Sequence, residues 1–89
     1  MTEYEKNGLL EIQKICDNFS ESKVHDLYSL ASRFDYMRVE RNELFGGFKR
    51  FQSLKRRDKK AQAWSYVTDQ VYRLRTIAGS AISCKDAMD

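Results

Sequence analysis

The sequence has no proline, and only four glycines, two cysteines and one histidine among 89 residues. Each scarcity excludes something. Without proline, nothing fixes φ or deletes a backbone donor, so long helices meet no built-in stop. No run alternates apolar and polar residues over a strand's length, and the composition is that of a helical chain. Cys16 and Cys84 stand far apart, match no metal-ligand spacing and, without a secretory signal, are expected as reduced thiols. The opening Met1-Thr2-Glu3-Tyr4-Glu5 is polar and acidic, unlike a signal or transit peptide. No apolar stretch approaches the roughly 20 residues that span a bilayer. The expectation is a soluble cytoplasmic protein, bacterial or host, with no membrane association.

The same scarcity bears on catalysis, which needs a nucleophile or an acid–base pair in a protected site. HExxH, CxxC, GxSxG and Walker spacings do not occur. The one histidine, His25, reads as an ordinary residue beside an apolar stripe. Glu40 and Glu43 interleave with Arg38 and Arg41 at helix-surface spacing, which predicts ion pairs. The chain is expected to be no enzyme, with no catalytic residue, metal or cofactor.

The sequence is rich in helical periodicity. Thr2 and Glu5 have the spacing of a capping box. Leu9, Ile12, Cys16 and Phe19 then form one stripe, predicting a helix over residues 3–18 that Gly8 weakens by about 1 kcal/mol relative to alanine. Residues 18–22 read as a turn, with Ser20 or Ser22 to cap the second helix. Val24, Leu27, Ala31, Phe34, Met37, Leu44, Phe48 and Phe51 continue the spacing, so a long helix over 22–56 is expected, broken at Gly46-Gly47 if anywhere. That pair admits three readings: a bend, a close helix crossing, or a phosphate-cradling loop. Trp64, Val67, Val71, Leu74, Ala78 and Ala81 alternate spacings of three and four, the seam of a last helix. Asp58 is placed to cap it, and residues 83–89 are expected to fray. Stripes of this kind need one another. The fold expected is all-α, a single domain over 1–89, a small antiparallel helical hairpin or bundle of three to four helices. So short a chain buries a thin core, which makes a homo-oligomer the expected assembly.

Charge is unevenly spread. The net charge is +3. Residues 1–48 hold six Lys/Arg against nine Asp/Glu, whereas residues 49–60 hold seven against one. Lys49, Arg50, Lys55, Arg56, Arg57, Lys59 and Lys60 thus form a basic segment whose mutual repulsion an anionic partner would relieve. Phosphate is the anion best matched to arginine's planar fork. Phe48, Phe51 and Trp64 flank the segment and read either as base-stacking platforms or as core. A second set, Tyr66, Tyr72, Arg73 and Arg75, flanks the seam of the last helix. It reads as an interface or as side chains snorkelling at the core's margin.

Arg57-Asp58-Lys59 at a helix start, Tyr72 within it and Ile77-Ala78 near its end resemble the helical-hairpin proteins by which some phages sequester cyclic oligonucleotide signals of bacterial immunity. The resemblance covers about 22 of 89 residues. It implies a small all-α oligomer that captures a cyclic nucleotide without cleaving it. The function expected is non-enzymatic binding of a phosphate-bearing ligand, nucleotide or nucleic acid, through the basic segment. The alternative is a small helical adaptor or viral inhibitor docking on a host nuclease or defence complex.

Overall fold

The computed structural model describes residues 2–88, with side chains through Cys84. Four α-helices, α1 (Glu3–Asp17), α2 (Val24–Ala31), α3 (Arg38–Ser53) and α4 (Arg57–Met88), run in chain order. Short 3₁₀ turns at Glu21–Lys23 and Asp35–Met37 lead into α2 and α3, and no strand occurs among the described residues. The all-α expectation holds. Among the described residues no helix is long and apolar enough to cross a membrane.

The helices run up, down, up, down. Thr2 Oγ1 accepts the Glu5 amide at 3.1 Å and opens α1. From there α1 lies antiparallel to α4: the Cys16 thiol donates to the Val71 carbonyl at 3.4 Å, and Asp17 meets Arg75 at 2.6 Å. The hairpin of α3 and α4 is likewise antiparallel, with Tyr66 of α4 bonded to Glu43 of α3 and Trp64 packed on Phe51 at 5.1 Å. At 32 residues, α4 is the spine of a molecule 50 Å long and about 20 Å across. Its first half carries α3 and its second half α1. The seam read from the sequence is its buried face: Val67, Leu74 and Ala78 are inaccessible and Val71 nearly so, with Trp64 and Ala81 partly covered at its ends. Leu9 and Ile12 of α1, Leu27 of α2 and Leu44 and Phe48 of α3 complete one core.

Three expectations need correction. The helix expected over 22–56 is broken, but after Ala31 rather than at Gly46-Gly47. Phe34 takes an extended conformation (φ −126°, ψ 116°) and turns its ring, 5% exposed, into the core. The notch that receives it is Gly8, where a Cβ would stand 3.2 Å from Phe34 Cζ. Gly8 therefore serves packing between helices. Second, Gly46 and Gly47 lie inside α3, and no glycine among the described residues has positive φ. Third, the cap residues shift. The Ser20 side chain makes no cap bond and instead lies 3.0 Å from Ser22 Oγ. Asp58 sits within the first turn of α4, which begins at Arg57. The backbone is helical to Met88, and Asp89, the last residue of the stretch 83–89 expected to fray, lies outside the described residues.

Candidate functional site

The turn between α3 and α4 gathers the basic segment at one end of the long molecule. Lys49 and Arg50 end α3, Lys55 and Arg56 form the connection, and Arg57, Lys59 and Lys60 open α4. Six are exposed and Lys60 is half-buried. Lys60 is engaged within the fold: its ammonium donates to the Phe51 carbonyl at 3.3 Å and lies 4.3 Å from the Phe51 ring. It is a second donor to a carbonyl that the Leu54 amide, at the C-cap of α3, already reaches at 3.3 Å. Arg56 pairs with Asp58 at 3.2 Å, both strongly exposed, so the pair adds little stability. Lys49 sits 4.8 Å from the Phe45 ring. Arg50, Lys55, Arg57 and Lys59 have no carboxylate within ion-pair reach among the described residues.

The helix dipole sorts these cations. Lys49 and Arg50 stand in the closing turns of α3, where positive charge is favourable. Arg57, Lys59 and Lys60 stand in the opening turn of α4, where the dipole and the free amides are themselves positive and only Asp58 opposes them. Helix stability does not account for cations in that position. Cations and unpaired backbone amides of one sign are thus brought together at the start of α4.

The flanking aromatics settle as core. Phe48 is 5% exposed, Phe51 and Trp64 are half-buried, and Phe19, Trp64, Phe51 and Phe48 form a chain of rings 5.1–6.2 Å apart. Their rings are engaged chiefly with one another and with the core. His25 is exposed and edges onto Phe45 at 6.0 Å. The ion pairs expected among Arg38, Glu40, Arg41 and Glu43 do not form. Arg41 lies 5.3 Å from the Tyr28 ring and Glu43 bonds Tyr66.

Beside the basic turn, on the outer face of the α3–α4 hairpin, lies a groove of about 460 Å³. Glu43, Gly46, Gly47 and Arg50 line it from α3, and Gln62, Ala63 and Tyr66 from α4. Gly47 makes it possible. A Cβ there would stand 2.8 Å from Tyr66 Cδ1 and 3.3 Å from Val67 Cγ2. The Tyr66 ring therefore lies against bare backbone, and of the three sequence readings the close crossing is the one formed. Gly46 has nothing within 4 Å of its missing Cβ, and open space lies before it. The Tyr66 hydroxyl donates to the Glu43 carboxylate, which pushes the phenol pKa up, while nearby Arg73 opposes the rise. No known protein family, curated protein or solved structure matches this chain.

The four residues read as an interface do not share one surface. Tyr66 and Arg73 are seven apart and face the α3 side of α4. Tyr72, 69% exposed, and Arg75 flank the α1 side, where Arg75 is held by Asp17. Tyr66 thereby joins Arg50 in one groove. Sequence spacing could not show this, because the two residues stand on different helices.

Proposed function

We propose that this chain is a non-catalytic binding protein for phosphate-bearing ligands, nucleotide or nucleic acid, engaged at the α3–α4 end. The observation that carries the reading is the cationic opening turn of α4. Arg57 and Lys59 stand unpaired where their charge opposes the helix dipole, beside further cations at the end of α3. A phosphate there meets free helix amides and guanidinium forks together. In the form that the phage resemblance implies, a homo-oligomer holds a cyclic oligonucleotide and withholds it from its receptor.

The test is binding of a fluorescent single-stranded oligonucleotide across a salt series. The affinity of the wild-type protein should fall with salt, with a log–log slope of about −0.7 for each phosphate neutralised. The R56A/R57A double substitution should weaken binding at least tenfold and flatten the slope. Unchanged binding would sink the surface. Native mass spectrometry of protein purified at low salt separates the forms, since retained cyclic nucleotide on an oligomer supports sequestration.

A second reading, docking on a protein, has its own observation. Tyr36 (46% exposed), Ile77 and Ala81 line an apolar depression on the second half of α4, remote from the basic turn. Copurification of one stoichiometric protein, lost on Ile77→Asp, would favour it.

A further inference from the structure

We infer that the α3–α4 groove seats the flat ring of a nucleotide whose phosphates lie on the basic turn. The inference rests on the phosphate-binding reading and adds to it a ring-binding subsite. Three features of the groove argue for it.

Its floor has no side chains at two consecutive positions. Gly47 is accounted for by the Tyr66 ring, but Gly46 is exposed and a Cβ there would meet nothing within 4 Å. In mid-helix such a glycine costs stability that alanine would restore, so packing within the chain gives no reason for it. Open backbone at a groove floor permits close approach of a planar group.

The rim then supplies the mixture of groups a base edge requires. Glu43 accepts, Arg50 donates, and the Gln62 amide does both. The volume, about 460 Å³, is within the range of small-ligand sites, roughly 300–1,000 Å³. Tyr66, 41% exposed, is the aromatic that lines this groove, whereas Phe48 is in the core and Phe51 and Trp64 pack against it.

Finally, the groove is continuous with the cations. Arg50 belongs to both, and Lys59 stands one turn before Gln62 and Ala63 on the same face of α4. A ring in the groove would project its phosphates toward the α4 start.

The experiment compares the four ribonucleoside triphosphates with inorganic tripolyphosphate, by calorimetry at low salt. At least one nucleotide should bind the wild-type protein tenfold or more tightly than tripolyphosphate. Gly46→Leu, which fills the groove from a position with room for a side chain, should erase that advantage and leave tripolyphosphate binding unchanged. Gln62→Ala should reduce it several-fold in a protein of unaltered circular dichroism. Equal binding of ring-bearing and ring-free probes to the wild-type protein would overturn the subsite and leave the anion surface standing. So would a nucleotide advantage that survives Gly46→Leu. Failure of all five probes to bind would overturn the anion surface and the subsite together.

Discussion

Gly47 and Tyr66 are matched across the α3–α4 crossing, and the ring occupies the space a Cβ at 47 would need, 2.8 Å from Tyr66 Cδ1. Its neighbour Gly46 has no such match. The two glycines should therefore respond oppositely to alanine. Gly46→Ala is expected to stabilise by about 1 kcal/mol, through helix propensity alone. Gly47→Ala gains the same propensity but must displace the Tyr66 ring, and should lose about 1–3 kcal/mol net. Urea midpoints of the two variants, moving in opposite directions from wild type, are the check.

Tyr66 should ionise late. Its bond to Glu43, aided by desolvation and the Glu43 charge, holds the phenol above its ordinary value. A raised phenol pKa means that the folded state favours the protonated form. The stabilisation is therefore complete below the unfolded tyrosine pKa, about 10, and is lost as pH rises through the higher folded value. Absorbance titration at alkaline pH should show one of the five tyrosines moving to lower pH in Glu43→Gln. An unchanged titration would mean the bond does not persist in solution.

The two cysteines should differ sharply in reactivity. Burial, and next the Asp17 charge, push the Cys16 thiol up to about 12. At pH 8 that leaves a thiolate fraction of roughly one in ten thousand, and the thiolate is the nucleophile. Cys84 is exposed. Iodoacetamide with mass mapping should label Cys84 in the native protein, and Cys16 only once α1 separates from α4.

Lys59 and Lys60 are adjacent but serve different ends. Lys60→Met removes a donor to the Phe51 carbonyl, which keeps only the Leu54 amide, and the cation over the Phe51 ring, and should cost about 1 kcal/mol. Lys59→Met removes only a repulsive charge from the start of α4. It should leave the melting temperature equal or higher while weakening oligonucleotide binding. Equal effects of the two variants on both measurements would refute this division.

The last helix was legible because its seam repeats at a spacing that does not depend on its partners, and the structure buries it as read. The break after Ala31 was not legible. Phe34 keeps the same apolar period as Ala31 and Met37, and what turns the chain there is the notch at Gly8, 26 residues earlier on another helix. The basic segment could be read as a cluster, since its members are neighbours in sequence. That Lys60 is tied to α3, or that Tyr66 joins Arg50, depends on how two helices meet. Gly46 and Gly47 look alike in the sequence and differ only in whether a ring lies above them.

The contacts that hold α1 to α4 join residues 55 and 58 positions apart, whereas α3 meets α4 through a connection of three residues. Loop-closure entropy grows with the length enclosed, and the local pairing is reached first. The α3–α4 hairpin, which carries the basic end, is thus the early-assembling unit, and α1 is the late-docking strap across its far half. Hydrogen exchange is therefore expected to show α1 opening before the α3–α4 hairpin, with the basic turn still assembled.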